Sequence, residues 1–342
     1  MTRSIFILLL SVILSQAETL DSHTEKPTYY DILHDNVSKK VLDWSNIADT
    51  TISQWLGNDE SNLTCASTKI VKPKSKTVDA FFQNNKYFNE TENTFIRLRT
   101  DTDFQSKKSN NFNLRLSAQL PFSKCKQQLK LFVEDVSLNS DKQLNSKTDK
   151  ADTNLGIRYF GLIGSQIESR YSLGIRGINP YVSTRYRLPF QTKQWQIDTI
   201  QTFKYSIKDN FEEETNIYFD KELKNHTLFR FNIQRGTSSN TEGMDYGFTF
   251  QYYLSAKQNI GLRFSQSFIG NTKYKKPNFT LTPTKSYSGI NNYVTSLSYR
   301  ANIWRKWFYY EIRPAVNFHK EFDYAPNYSV RLFFDFYFGE YH

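Results

Sequence analysis

The chain has 342 residues, a formal net charge of +10 and an aromatic content of 16%. Its mean hydropathy of −0.62 is that of a water-soluble protein. Beyond the N-terminus, no apolar run reaches the roughly 18 residues that a membrane-spanning helix needs, so the composition excludes a helical membrane protein. The excess of basic over acidic residues favours anionic partners, although the export signal described next argues against nucleic acid as that partner.

The N-terminus has the pattern of a secretory signal peptide. Arg3 supplies the positive charge, an apolar run extends from Ile5 to Leu14, and the small residue Ala17 follows. The run is too short to cross a bilayer as a helix. We therefore predict that residues 1–17 are a signal peptide, cleaved after Ala17, and that the mature chain is exported.

Residues 18–90 are predicted to form a periplasmic extension of helix and loop. Apolar residues recur there at helical spacing, which indicates one face of an amphipathic helix that stops at Gly57. Two interpretations stay open: this helix is a plug or docking element, or it merely covers the mouth of the domain that follows. The residues of the face are Val37, Val41, Trp44, Ile47 or Ala48, Ile52 and Trp55, and a second short apolar piece contains Val78, Phe81, Phe82, Tyr87 and Phe88.

From Thr94 onward, apolar and polar residues alternate with the period of a β-strand. In residues 111–120 and 245–254, for example, every second residue is apolar or aromatic. Each such run is about ten residues long, which is the length of a tilted transmembrane strand. The candidate strands centre on residues 94–104, 111–121, 126–136, 153–162, 168–177, 180–189, 194–206, 211–221, 226–235, 245–255, 258–269, 291–302, 306–317 and 328–338.

This pattern predicts an all-β fold, an antiparallel transmembrane β-barrel over residues 91–342 with about 14 strands (roughly 12–16). A barrel accounts for the low hydropathy, because only alternate residues face lipid. It also accounts for the aromatic residues, which are needed at both membrane interfaces. The expected location is the outer membrane of a Gram-negative cell. The alternative is a large secreted β-sandwich or β-helix.

The lengths of the connections support an even number of strands. Among the odd-numbered connections, residues 137–152, 236–244, 270–290 and 319–327 are long, whereas the even-numbered 223–225, 256–257 and 303–305 are short. Bacterial barrels have short periplasmic turns and longer outer loops, a segregation that a soluble sandwich has no reason to show. We therefore expect the N-terminus to lie in the periplasm.

The two cysteines, Cys65 and Cys125, are both predicted on the periplasmic side. An oxidising compartment permits a disulfide between the N-terminal extension and the rim of the barrel. The alternative is two unpaired thiols, because spacing alone cannot show the close approach that a disulfide requires.

Charges occupy many of the predicted inward positions. Basic residues outnumber acidic ones there, and rings of Arg and Lys favour anions in a water-filled pore. The alternative is a structural network, because Arg forms bidentate pairs with carboxylates. The predicted inward residues include Arg97, Arg99, Arg115, Lys130, Arg158, Arg170, Arg176, Arg185, Arg187, Lys204, Arg230, Arg263, Arg300, Glu311, Arg313, Arg331 and Asp335.

Both ends of the predicted barrel resemble outer-membrane sequences. The alternating Phe334, Phe336 and Phe338 resemble the C-terminal signal that the barrel-assembly machinery reads, which implies that machinery as a partner. Residues 77–82 and 89–99, with residues 307–314 and 324–326 at the other end, resemble an uncharacterised proteobacterial outer-membrane barrel family. The resemblance implies fold and location but no mechanism, since that family has no assigned activity.

The sequence contains only weak matches to the motifs of outer-membrane enzymes. No histidine is followed by the serine motif of an outer-membrane phospholipase, and His319 near Asp323 only faintly matches an outer-membrane protease. We predict no enzyme, metal or cofactor, and an outer-membrane hydrolase is the least favoured hypothesis. The leading hypothesis is a pore or transport channel with a weakly anion-preferring lumen. The alternative is a non-conducting structural or export-partner barrel that binds a periplasmic protein through its helix.

Overall fold

Over the residues that it describes, the computed structural model is a closed antiparallel β-barrel of 14 strands, as the alternation predicted. The residues described are 28–55, 78, 81–82, 94–121, 129–135, 153–163, 166–223, 227–240, 243–257, 260–275, 286–302 and 304–340. The strands are β1 (Phe95–Gln105), β2 (Asn111–Pro121), β3 (Leu129–Asp135), β4 (Thr153–Ile163), β5 (Ile167–Arg176), β6 (Asn179–Gln191), β7 (Gln196–Ser206), β8 (Asn210–Leu223), β9 (Thr227–Ser238), β10 (Asp245–Lys257), β11 (Ile260–Lys275), β12 (Ser286–Ala301), β13 (Phe308–His319) and β14 (Pro326–Gly339).

Helix α1 spans Tyr29–Trp55. It begins after Thr28, whose backbone N–H and hydroxyl donate to the Asp31 carboxylate over 2.9 and 2.8 Å. A carboxylate that reaches back to the residue before the first turn is typical of helix N-termini, and this cap starts the helix earlier than the apolar pattern suggested. The chain forms two compact units, Met1–Val37 and Ser38–His342. No helix among the described residues is long and apolar enough to cross a membrane.

The outward face of the barrel is apolar along most strands. Leu116, Leu173 and Phe264 are 46%, 62% and 46% exposed, and each alternates with a buried polar residue or glycine. An aromatic row also crosses five consecutive strands, with neighbouring ring centroids 4.7–6.3 Å apart. Its members are Phe219, Phe231, Phe250, Phe268 and Tyr293.

Strands β1 and β14 close the barrel, with Phe95 opposite Gly339. The Glu340 N–H donates to the Thr94 carbonyl over 2.8 Å, just beyond this pair. Gly339 has φ 99°, and a Cβ there would lie 2.6 Å from the Thr94 oxygen, so the position requires glycine. We call the end of the barrel that holds Phe95 and Gly339 the closure end, and the opposite end the distal end.

One distal connection differs from the prediction. Residues 270–290, predicted as one loop, are partly strand, because β11 and β12 stay paired as far as Lys275 and Ser286 after a register shift beyond Ile269. This hairpin therefore extends past the positions that the alternation marked. Strands β5 and β6 are joined by Gly177 and Ile178 alone, so the distal connections are not uniformly long.

Candidate functional site

The interior of the barrel is lined by polar and charged side chains. Along each strand, buried or half-buried residues alternate with the apolar residues of the outward face. The buried set faces the interior, where ion pairs link strands inside the closed sheet. Arg97, Arg99, Arg115, Lys130, Arg158, Arg187, Arg230, Arg263, Arg300, Glu311 and Asp335 are buried, and Arg170, Arg176, Arg185, Lys204, Arg313 and Arg331 are half-buried.

Asp335 is the centre of a buried ion-pair network at the seam between β1 and β14. Its carboxylate accepts from Arg99 Nε over 2.5 Å and from Arg99 Nη2 over 2.8 Å. Arg300 Nη1 donates to the same carboxylate over 2.7 Å. The Asp335 and Arg300 side chains have no exposed area, so this interaction is shielded from solvent and ties β12 to β14 across the intervening strand.

Glu311 forms the second centre of the same network. Arg313 Nη2 donates to Glu311 Oε1 over 2.6 Å, and Nη atoms of Arg263 and Arg300 lie 3.6 Å from the carboxylate oxygens. The guanidiniums of Arg313 and Arg99 also lie 4.8 and 5.1 Å from the ring centre of Phe333. We call Arg99, Arg300, Glu311, Arg313 and Asp335 the paired wall.

Further buried pairs link neighbouring strands elsewhere in the interior. Asp220 and Arg230 form a bidentate pair with both N–O distances at 2.7 Å, the geometry in which Arg binds carboxylates most strongly. Other pairs join Asp101 to Arg115, at 2.9 Å, and Asp103 to Arg331, at 2.7 Å. Arg187 contacts both Glu168 and Asp198, each at 2.7 Å. This arrangement corresponds to the structural alternative that the sequence left open.

On the interior face of β3–β6, as at the pairs Arg99–Arg115 and Arg313–Arg331, basic residues lie directly opposite each other. Lys130 lies opposite Arg158, and Arg170 lies opposite Arg185, so cations face cations across two strand pairs. The Arg158 guanidinium carbon is 3.8 Å from the ring centre of Phe132, and its Nε donates to a serine hydroxyl. We call Lys130, Arg158, Arg170 and Arg185 the basic cluster.

Two phenylalanines from the N-terminal extension lie inside the barrel near the closure end. Phe82 is 5% exposed and packs against Leu228 and Tyr253 on the interior faces of β9 and β10. Phe81 lies 6.0 Å from Tyr309 between ring centres. Gly261 makes room for both rings, since a Cβ there would lie 2.7 Å from each of them. We call Phe81 and Phe82 the aromatic wedge.

Interior aromatic residues were missed as a group by the sequence reasoning. Phe132, Tyr253 and Phe333 are 2%, 1% and 3% exposed, although alternation in a barrel assigns polar residues to the interior. The signal available in the sequence was their position in the strand alternation, since Phe333 falls between Arg331 and Asp335 on the same face of β14. Their rings lie against interior arginines, an arrangement in which the aromatic quadrupole attracts the cation.

The predicted apolar face of α1 is divided in the structure. Val41 is 2% exposed, and the neighbouring Ser45 hydroxyl lies 3.3 Å from the Thr94 hydroxyl, just before β1. Trp44 and Ile47 are each 63% exposed. The remaining positions of the predicted face differ: Val37 is 36% exposed, and Ala48 and Ile52 are half-buried.

Several predicted features lie outside the described residues. These are the signal peptide, the Trp55 side chain, Cys65 and Cys125, so the disulfide stays a prediction. In the described part of the chain, no group of three or more His, Cys, Asp or Glu could hold a metal ion. His319 Nδ1 accepts from the Glu321 backbone N–H over 3.0 Å and so caps the turn at Lys320–Phe322.

No family model matches the sequence, and no curated protein matches it. Among solved structures, outer-membrane-expressed OmpT of Vibrio cholerae is 8% identical with a TM-score of 0.42, covering 72% of this chain and 97% of that chain. Pseudomonas aeruginosa OccK11 is 9% identical with a TM-score of 0.40, covering 72% and 95%. A KdgM porin in complex with disordered oligogalacturonate is 4% identical with a TM-score of 0.36, covering 72% and 99%. Similarity at this level supports no argument about function, and the resemblance to an uncharacterised barrel family stays a prediction.

Proposed function

We propose that the chain is an outer-membrane β-barrel that forms a passage for small solutes and prefers anions. The observation that carries this proposal is a closed barrel with an apolar exterior and a charged interior. A closed barrel leaves no strand edge in the bilayer, where unpaired backbone groups are costly. Barrels of eight strands fill with side chains and barrels of 16 strands hold an aqueous channel, so 14 strands give a lumen of intermediate width.

The proposed orientation places the closure end in the periplasm. Both ends of the barrel chain meet there, at Phe95 and Gly339, and the paired hairpin of β11 and β12 extends at the distal end. Bacterial barrels carry their longer connections on the cell surface. Lipid would contact the apolar exterior, and the barrel-assembly machinery would insert the chain.

The basic cluster is the support for anion preference. Its cations lie on four adjacent strands of one interior face. An excess of one charge on a lumen with low-dielectric walls concentrates ions of the opposite sign, and on this face Glu168 offsets only part of the excess, since it contacts Arg187.

The aromatic wedge supports a gate at the closure end. Phe82 packs on β9 and β10, and Phe81 packs against β13, so the wedge narrows the interior at the proposed periplasmic mouth. Arg263 also lies 5.6 Å from the ring centre of Phe82. Displacing these rings would widen the mouth without removing any charge from the lumen.

The test is single-channel recording of the refolded mature protein in a planar bilayer, with Gly261→Ala and Gly247→Ala as matched variants. The first methyl group collides with both rings of the aromatic wedge, whereas the second meets its nearest atom, the Phe268 oxygen, at 3.6 Å. Both glycines lie on interior positions of neighbouring strands. We expect discrete openings in all three proteins, a permeability ratio in favour of chloride over potassium, and a larger conductance in Gly261→Ala alone.

Each part of the proposal can fail separately. No openings from correctly folded protein, including Gly261→Ala, would contradict a passage. A preference for potassium would contradict the anion preference alone. Equal conductance in the two glycine variants would contradict the gate.

A second candidate function is recruitment of a periplasmic protein by α1. The observation that favours it is the exposure of Trp44 and Ile47 on a helix whose other face, at Val41, is buried, since exposed apolar patches mark interaction sites. A photoreactive residue at position 44 should give a cross-linked periplasmic protein in cells, whereas the same residue at the buried position 45 should not. Absence of adducts at position 44 would contradict this candidate.

A further inference from the structure

We infer that the outward face of β7–β9 is an interface between two copies of this chain in the membrane, centred on Glu213 and Arg235. The inference goes beyond the proposed passage and requires only that the barrel is folded in a membrane. The occupant of this face is a second copy in the same orientation, related to the first by a twofold axis along the membrane normal.

A hydrogen-bonded polar patch interrupts the apolar exterior on these strands. Thr215 lies directly opposite Gln201 on β7 and Arg235 on β9, and Glu213 occupies the next outward position of β8 toward the distal end. Arg235 Nη2 and Gln201 Nε2 each donate to Glu213 Oε1 over 3.2 Å, and Thr215 Oγ1 donates to Gln201 Oε1 over 2.6 Å. We call Gln201, Glu213, Thr215 and Arg235 the lateral patch.

The lateral patch lies within the apolar band of the exterior, with apolar residues on both sides of it. Toward the distal end, Ile207 and Phe211 are 71% and 43% exposed. Toward the closure end, Ile217 and Ile233 lie opposite each other on the outward face. With a rise of about 3.4 Å per residue and a tilt of roughly 40°, residues 211–221 of β8 span roughly 25 Å, which is the height of the apolar band of a barrel.

The charged pair of the lateral patch leaves polar atoms that the described part of the chain does not pair. Both donors to Glu213 reach Oε1, and among the described residues none donates to Oε2. Arg235 donates through Nη2 alone within the same residues, and its side chain is 49% exposed. Because unpaired polar groups are costly in the hydrocarbon of a bilayer, these atoms require a partner that supplies both a donor and an acceptor.

A second copy of the chain supplies both groups. Glu213 and Arg235 carry opposite charges, so a twofold axis through the lateral patch would bring Arg235 of each copy to Glu213 of the other, and every contact would occur twice. Phe211 and its apolar neighbours would pack between the copies, and aromatic residues and Arg are enriched in interface cores. The distal turns beside this face are short, at Gly177–Ile178 and Ile207–Asp209, so two barrels can approach side by side.

An anionic lipid headgroup is the competing occupant of this face. Its phosphate would pair with Arg235, but it would also approach the Glu213 carboxylate, which lies 3.2 Å from the guanidinium, and like charges that close repel each other. Glu213 and Arg235 together carry no net charge, whereas sites for anionic headgroups are clusters of Lys and Arg. The lateral patch therefore fits a second copy better than an anionic lipid.

The experiment is sedimentation velocity of the full mature chain, refolded in a non-ionic detergent, over a range of protein-to-detergent ratios. Arg235→Glu leaves only carboxylates at the two charged positions, and Glu213→Arg leaves only guanidiniums, so each variant should repel further copies of itself. We expect a dimer of the unaltered chain and at least about tenfold weaker association of either variant. An equimolar mixture of the two variants should regain the dimer, because each contact then joins a carboxylate to a guanidinium.

The matched control moves the same charges to Thr102, which occupies an outward position near the distal end of β1, on the opposite side of the closed sheet. In a Glu213→Leu/Arg235→Leu background, a mixture of Thr102→Glu and Thr102→Arg chains should stay monomeric. Dimers in this mixture would show general attraction between opposite charges and overturn the interface. The background variant itself should be monomeric, and it keeps the test decisive if the charge-reversed variants do not fold.

The remaining outcomes also decide the inference. An unaltered chain that is monomeric at every ratio, a dimer of Glu213→Leu/Arg235→Leu, or no dimer in the mixture of charge-reversed variants would overturn it. A monomer that retains a phosphorylated glycolipid, lost in Arg235→Glu, would assign the face to lipid instead. Sedimentation requires no conduction, so the interface and the proposed passage can fail separately. At a high lipid-to-protein ratio the copies separate by mass action, and the Glu213–Arg235 pair is then exposed.

Discussion

The paired wall and the basic cluster both line the interior of the barrel, but the paired wall contains carboxylates as well as arginines, whereas the basic cluster is defined by cations alone. In the paired wall, Asp335 lies between Arg99 and Arg300, and each N–O contact is at most 2.8 Å. In the basic cluster, Arg170 lies opposite Arg185. Alternation puts all of these arginines inside the barrel. The residue directly opposite does not decide the partner, because Arg313 lies opposite Arg331 and still binds Glu311, while Arg331 binds Asp103.

The largest change in the free energy of unfolding should come from a substitution at Asp335, the centre of the paired wall. Asp335→Asn leaves Arg99 and Arg300 buried without this carboxylate, and breaking a buried pair costs about 3–5 kcal/mol. Urea titration of the barrel in lipid vesicles measures the free energy of unfolding. Glu213→Gln is the control, because its partner Arg235 is 49% exposed and such pairs contribute at most about 1 kcal/mol. A similar loss of unfolding free energy in both variants would mean that the paired wall is as solvated as the exposed Glu213–Arg235 pair.

A smaller effect should follow from removing the aromatic ring beneath the paired wall. Phe333 lies within 6.0 Å of three guanidiniums, those of Arg99, Arg313 and Arg331. Phe333→Leu should cost about 1–3 kcal/mol, because each desolvated cation–π contact contributes about 0.5–2 kcal/mol and packing is also lost. Phe132→Leu, which loses a contact with Arg158 in the basic cluster, should cost about half as much by the same titration. An equal loss of unfolding free energy in the two variants would show that the number of guanidiniums near the ring does not matter.

The smallest change in the free energy of unfolding, a gain rather than a loss, should come from a substitution in the basic cluster. Arg185→Gln removes one of two opposed cations, and relief of like-charge repulsion across strands amounts to about 0.2–1 kcal/mol. We therefore expect unfolding free energy to stay unchanged or to rise by up to about 1 kcal/mol, with the gain declining at high salt because salt screens repulsion. A loss of more than about 2 kcal/mol would show that Arg185 is held as tightly as a residue of the paired wall.

The sequence was sufficient to predict the barrel but not the contacts between side chains in its interior. Strand number followed from alternation and connection lengths, since lipid and lumen impose opposite polarity on successive residues. The extension of β11 to Lys275 was not predicted, because two strands that remain paired beyond the barrel wall need not alternate in polarity. The division of the apolar face of α1 was also unpredictable, because Val41 and Trp44 are equally compatible with helical periodicity.

By itself, the sequence determined which residues face outward and which face inward, because a period of two depends only on neighbours in the chain. Only the tertiary structure decided the partners, because they come from distant parts of the chain: Arg99 and Asp335 are 236 positions apart. The aromatic wedge shows the same limit, since Phe82 meets Gly261 only after the strands between them have closed into a barrel. The side of the barrel that a residue faces can thus be predicted from its neighbours in the chain. The partner of a charged residue, and the side chains that fill the lumen, depend on strand register and on closure of the barrel.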